Sequence, residues 1–145
     1  MPRIDRLAKL MILPLFWVLT ACGGTPPAAI EVEANFVRAP SVGAPATAGY
    51  LTLTAAEADA LISATTDMAE TMELHTMTMN NGVMSMRPVS EIELPAGTPV
   101  ELKPGGLHLM LMNPKDELAS LDEVDITLNF ENAAPVVVTL PVRQP

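Results

Sequence analysis

The chain has 145 residues, with 8 Lys and Arg against 17 Asp and Glu and a formal net charge of -9 at pH 7. This length is typical of one domain with a single hydrophobic core. The acidic balance excludes recognition of nucleic acid or of anionic lipid headgroups by charge attraction.

The first predicted element is a secretory signal over residues 1–21. A basic start precedes an apolar run, Leu10 to Leu19, that is too short for an ordinary transmembrane helix. The run leads into Leu19-Thr20-Ala21-Cys22, which resembles the bacterial lipobox, a motif whose cysteine is acylated and becomes the first residue of the mature protein. Cys22 is the only cysteine, so neither an intramolecular disulfide nor a thiolate metal site is expected.

Residues 22–29 are rich in Gly, Pro and Ala and are expected to form a tether behind the lipidated Cys22. A folded domain is then expected over residues 30–143. The anchor predicts a protein of the bacterial cell envelope, attached to a membrane by lipid and facing the periplasm.

From residue 30 onward, short alternating segments between turn residues predict β-strands and no sustained helix. The segments with strand character are 30–39, 47–54, 61–66, 71–79, 83–89, 91–94, 98–102, 107–112, 124–130 and 135–142. Only residues 55–60 favour a short helical turn, and the acidic stretch 116–125 predicts a solvated loop. The predicted fold class is all-β, as a Greek-key β-sandwich or small barrel.

The strongest local signal is a hairpin around Asn81-Gly82. A two-residue turn there pairs Met77 with Met86 and Met79 with Met84, and it places His75 diagonal to Met86. All five side chains then share one face of the hairpin. A later segment repeats the pattern, since His108, Met110 and Met112 share one strand face while leucines occupy the other.

Imidazole and thioether groups are soft, uncharged donors that suit Cu(I). Methionine is more often a packing residue than a ligand, and packing in a core with few aromatics accounts for Met68 and Met72. It does not account for both histidines of the chain lying within the methionine-rich interval, each in the order His-x-Met. The pattern therefore favours a copper site.

The spacing of these residues matches a family signature. Ten residues separate His75 from Met86, 21 separate Met86 from His108, and one separates His108 from Met110. This arrangement resembles the H-x10-M-x21-H-x-M signature of the periplasmic PCuAC copper chaperones. The flanking segments 73–75, 82–87, 94–97 and 104–112 are also similar to that family, and the resemblance covers about Val32 to Val142.

The resemblance implies a cupredoxin-like β-sandwich that binds one Cu(I) through His75, Met86, His108 and Met110. It also implies delivery of copper to a respiratory oxidase, at subunit II of cytochrome c oxidase, together with Sco-type proteins. We expect a monomer that is not an enzyme and has no nucleic-acid partner. Thr76 departs from the Met that many members have after the first His, and no His- and Met-rich C-terminal tail follows, so we expect a single site.

Two other functions stay open on the residues alone. The same site could sequester copper in the envelope without a specific acceptor. Alternatively, the domain could be an immunoglobulin-like binding module that holds no metal and has an incidental methionine face. An enzyme is the weakest reading, because no acid-base or nucleophile pair emerges.

Overall fold

A computed structural model describes residues 29–144. The predicted signal over residues 1–21, the predicted lipidation site Cys22 and the tether up to residue 28 lie outside the described residues. Within residues 29–144, no helix is long and apolar enough to span a bilayer.

The described chain is built from strands, which confirms the predicted fold class. The strands are β1 (Ile30–Arg38), β2 (Ala46–Ala55), β3 (Asp59–Thr65), β4 (Ala69–Asn80), β5 (Val83–Val89), β6 (Ile92–Leu94), β7 (Val100–Leu102), β8 (His108–Pro114), β9 (Glu123–Phe130) and β10 (Val136–Arg143). Every predicted strand is present, and each bound differs from its prediction by at most two residues. The last two strands, β9 and β10, pair antiparallel.

The strands form one continuous sheet in the order β5-β4-β8-β2-β1-β10-β9-β3-β6, with β7 paired to β2. The pairing of β1 with β10 is parallel. A single buried hydrophobic cluster contains Leu51 of β2 and Leu109 of β8, from one half of this sheet, and Leu61 of β3 and Ile126 of β9, from the other half. The sheet must therefore fold over on itself, so that the two halves pack face to face as a sandwich.

Two local predictions were wrong. Residues 55–60 form no helical turn, because β2 continues to Ala55 and β3 already begins at Asp59. The acidic stretch 116–125 is not simply a loop, since it starts with a short 3₁₀ helix, Asp116–Ser120, and ends within β9. Leu118 of that helix is fully buried in the core, and this apolar anchor orders a stretch whose composition is mostly acidic.

Asp59 explains why the chain turns into β3 instead of forming a helix. Its buried carboxylate accepts backbone N–H bonds from Ala60 at 2.8 Å, Asn132 at 2.9 Å and Ala133 at 2.8 Å. Burial alone raises the pKa of Asp59, but these backbone donors outweigh burial and hold the pKa below its ordinary value of 3.8. The ionised carboxylate thus joins the start of β3 to the connection between β9 and β10.

Replacing this carboxylate by an amide should destabilise the fold. In Asp59→Asn an NH₂ group would face backbone donors, so we expect a loss of about 1–3 kcal/mol near neutral pH. The contribution of Asp59 is present above the ordinary carboxyl pKa and is lost as the pH falls through the lowered pKa of the folded state. The difference between wild type and variant should therefore shrink below about pH 4.

Urea unfolding at neutral and at acidic pH measures this difference. Asp67→Asn, which changes an exposed carboxylate, is the control and should stay within about 0.5 kcal/mol of wild type. An equal effect of Asp59→Asn at both pH values would show that the ionised form is not the source of the stabilisation.

Candidate metal centre

The hairpin of β4 and β5 extends beyond β8, the strand that pairs with the other side of β4. β4 pairs with β8 only as far as His75, whereas its pairing with β5 continues to Asn80. Residues 76–87 therefore form a two-stranded projection, which we call the arm. The turn at its end has positive φ at both Asn81 (50°) and Gly82 (80°), as a type I′ turn requires.

The register of the arm confirms the predicted pairing. Met77 lies opposite Met86, and Met79 lies opposite Met84. Because His75 lies opposite Pro88, it is diagonal to Met86, also as predicted. The four methionines and His75 thus project from the same face.

The pairing of β4 with β8 places the two histidines directly opposite each other. Their ring centroids lie 5.7 Å apart, and the rings are inclined by 46°. Both residues are buried, with 9% of His75 and 3% of His108 exposed. Since metal–imidazole bonds are about 2 Å long, this spacing allows one ion to bind both rings.

Each histidine uses one ring nitrogen in a hydrogen bond. His108 Nδ1 donates to the carbonyl oxygen of Gly106 at 2.9 Å, and His75 Nε2 donates to Oε2 of Glu73 at 2.7 Å. Both partners are oxygen acceptors, so these two nitrogens carry the ring protons. In the neutral rings, His75 Nδ1 and His108 Nε2 are therefore left with free lone pairs.

These two free nitrogens are unusual in this fold. Within residues 29–144, His75 Nδ1 and His108 Nε2 are the only buried side-chain nitrogen or oxygen atoms without a hydrogen-bond partner. An unpaired buried polar atom costs about 1–3 kcal/mol, so a native fold retains it where it has another use. Coordination of a metal ion is a use that fits a free imidazole lone pair.

A cavity of about 350 Å³ opens beside His108. Its lining includes three of the four residues named by the sequence signature, Met86, His108 and Met110. The fourth, His75, is not in the lining, and its ring centroid lies 5.7 Å from that of His108. Met77 lines the same cavity although it is outside the signature.

The donor chemistry of this cavity is soft and neutral. Its described lining residues contain no carboxylate and no thiolate, and the one permanently charged side chain among them is Arg38. In the described part of the chain, no three His, Cys, Asp or Glu side chains come close enough to hold a metal ion together. Thioether and imidazole donors suit Cu(I), whereas Ca²⁺, Mg²⁺ and structural zinc need other ligands.

The remaining methionines divide as the sequence suggested. Met68 and Met72 pack against the hydrophobic core, as expected for filler. Met112 is half-buried on the strand face of Met110 but does not line the cavity. The sequence reasoning missed Glu73 as a partner of His75, although its position two residues earlier, on the same strand face, could have indicated the contact.

Comparisons with known proteins agree with this architecture. The copper-bound PCuAC domain from PmoF2 superposes with a TM-score of 0.68 at 24% identity, over 82% of this chain and 96% of that one. CuI-DR1885 from Deinococcus radiodurans gives a TM-score of 0.57 at 28% identity, over 84% of this chain and 81% of that one. The fold is therefore cupredoxin-like, as the resemblance implied.

Sequence comparison identifies the family. A relative named "Putative lipoprotein Lxx21020", from Leifsonia xyli subsp. xyli, is 30% identical over 115 residues, which cover 79% of this chain and 69% of the relative. Residues 30–142 match the family model described as "Putative lipoprotein LpqE-like". The chain belongs to the LpqE-like family.

Proposed function

We propose that this protein is a copper chaperone that binds one Cu(I) through His75, Met86, His108 and Met110. The observation that carries the proposal is the pair of buried, unpartnered nitrogens, His75 Nδ1 and His108 Nε2, of which the His108 ring lines a cavity together with thioethers. The solved structures of similar fold include a copper-bound and a Cu(I)-bound protein, which supports the same cargo here.

The proposed ligands differ in exposure, and the difference suggests how copper is held and released. His75 and His108 are buried, whereas Met86 on the arm is 45% exposed. The histidines are then the fixed ligands, with rings oriented by Glu73 and Gly106, and Met86 is the ligand that an acceptor can displace. Copper leaves by ligand exchange, as an acceptor thiolate or imidazole bonds to the ion while the bond to Met86 breaks.

The donor set also limits how tightly copper is held. Four neutral ligands leave the ion with its full positive charge, so the affinity depends on soft coordination. Thioethers suit an oxidising compartment, where thiols are lost to disulfides. A protein with such a site can retain Cu(I) and still release it to an acceptor that offers thiolates.

Delivery and location complete the proposal. Cys22 carries the lipid that anchors the protein in the bacterial envelope, facing the periplasm, and the family described as putative lipoproteins supports this location. The acceptor is a copper site of a respiratory oxidase, on subunit II of cytochrome c oxidase, reached together with Sco-type proteins. The protein acts as a monomer and catalyses no redox or bond-forming reaction.

A matched pair of substitutions on β8 tests the ligand assignment. Met110→Leu removes a proposed thioether ligand, so the affinity for Cu(I) should fall by about 100-fold or more. Loss of a ligand should cost at least as much as loss of a side chain that only orients a ligand, which lowers metal affinity by about 10–100-fold. Met112→Leu makes the same change on the same strand face but outside the cavity, and its affinity should be unchanged. Competition with a chromophoric Cu(I) chelator measures both, and equal affinities for wild type and Met110→Leu would contradict the site.

Glu73 is proposed to position His75, and a graded series tests this role. Glu73→Ala removes the acceptor of the His75 Nε2 proton and should lower the Cu(I) affinity by about 10–100-fold without unfolding the domain. Glu73→Gln keeps an oxygen acceptor and should restore most of the affinity. Glu70→Ala controls for the lost charge, because Glu70 is another exposed acid of β4 that accepts a hydrogen bond from Asn113 and from neither histidine. A loss of affinity as large as that of Glu73→Ala would refute the positioning role.

Delivery from the envelope is tested in a strain that lacks the gene. Wild-type protein should restore oxidase assembly and sediment with membranes. Met110→Leu should sediment normally but fail to restore assembly, whereas Cys22→Ser should lose membrane attachment or retain its signal. Intact oxidase together with copper sensitivity in the deletion strain would instead favour sequestration from the same site.

A further inference from the structure

The end of the arm exposes two methionines that packing does not explain. Met79 is 67% exposed and Met84 is 49% exposed, and neither belongs to the core. The opposite face of the arm carries no methionine and includes Thr76, Thr78 and Ser85 together with the apolar Val83. The thioethers are therefore confined to the face that leads to the cavity.

The geometry of this pair suits a soft metal ion. Met79 and Met84 lie directly opposite each other, where paired Cβ atoms are about 4.5–5.5 Å apart. Methionine side chains are flexible, and metal–sulfur bonds are about 2.3 Å long, so both sulfurs can reach one ion between them. Two thioethers without an imidazole or a charged ligand give a weak site that exchanges its ion readily.

The pair is also the outer row of a series. Met77 and Met86 form the next row, and successive rows on one strand face are about 7 Å apart. Met77 and Met86 line the cavity together with His108 and Met110. A continuous series of thioethers thus leads from the exposed turn to the buried histidines.

We propose that Met79 and Met84 form a second, outer Cu(I) site through which the ion passes on its way into and out of the inner site. This inference rests on the proposed function of the inner site. In each inward step a bond from copper to Met77 or Met86 forms as a bond to Met79 or Met84 breaks, and the copper stays Cu(I) throughout. The outer site raises the rate of exchange and adds nothing to the affinity of the inner site.

Two measurements on the purified full-length chain test the outer site. The first is stopped-flow transfer of Cu(I) from a chromophoric chelator to the protein. The second is a titration with Ag(I), a soft ion of the same charge, followed by NMR of ¹³C-labelled methionine methyl groups. In wild type, a second and weaker equivalent of Ag(I) should shift the Met79 and Met84 methyl signals.

The double variant Met79→Leu/Met84→Leu removes both sulfurs and keeps the exposed apolar surface. It should lose the second equivalent and take up Cu(I) about tenfold more slowly, since one step of the transfer path is missing, while its equilibrium affinity stays that of wild type. The control is Val83→Thr. Val83 is 65% exposed and follows the same turn, but it lies on the other face of the arm, so this change should leave the transfer rate unchanged.

The outcomes separate this inference from the proposed function. The outer site alone would be overturned by two results together. The double variant would bind Cu(I) tightly and take it up at the wild-type rate, and Ag(I) would not shift the Met79 and Met84 methyl signals in wild type. Slower Cu(I) transfer in Val83→Thr but not in the double variant would show that apolar contact controls the transfer rate and that the two sulfurs do not. That result would also overturn the outer site. Failure of wild type to bind Cu(I) at all would overturn both proposals.

Discussion

The site depends on the direct pairing of His75 with His108 across β4 and β8. Each ring gives one proton to an oxygen acceptor, so the other nitrogen is a free lone pair that is buried and unpaired. Two such nitrogens cost the folded protein free energy, by about 1–3 kcal/mol each, and packing of the hydrophobic core must compensate for it. A bound soft cation would remove that penalty, so the cost of burying these two nitrogens would contribute to the proposed affinity for metal.

The sandwich supplies the stability that this arrangement needs. β8 lies between β4 and β2 in the middle of one half of the sheet, with Leu109 and Leu111 fully buried on its inner face. His108 and Met110 alternate with these leucines and therefore face the cavity. Packing of the leucines fixes the position of β8, and the proposed metal ligands on this strand gain a rigid support without contributing to the core.

The arm has the opposite character. Beyond His75 the hairpin has only two strands, and such a ribbon gains little stability from its own pairing. Its methionines are exposed to an increasing degree from the cavity to the turn, from the half-buried Met77 to the mostly exposed Met79. The rigid strand thus carries the buried His108, and the less constrained ribbon carries exposed thioethers, a division that fits the proposed carrier of an exchangeable ion.

Much of the fold was predictable from local pattern. Alternation of apolar and polar residues predicted the strands, because most strands have one face in the core. Asn81-Gly82 determined the register of the arm, because a type I′ turn admits few other residues. The expected helical turn at residues 55–60 failed since its outcome depended on Asp59 bonding to Asn132 and Ala133, far away in the chain. The 3₁₀ helix was missed because its order comes from the burial of Leu118.

The sequence by itself determined which donors the protein offers and which strand faces they occupy, since residue type and the alternation of a strand are local properties. Only the tertiary structure decided that β8 pairs with β4 in the register that sets His75 against His108. It also decided that Met77 lines the cavity beside His108. Both results depend on contacts between segments more than 30 residues apart, where no local periodicity specifies which strands become neighbours. The hydrogen bonds of the two rings to Glu73 and Gly106, in contrast, join residues only two positions apart.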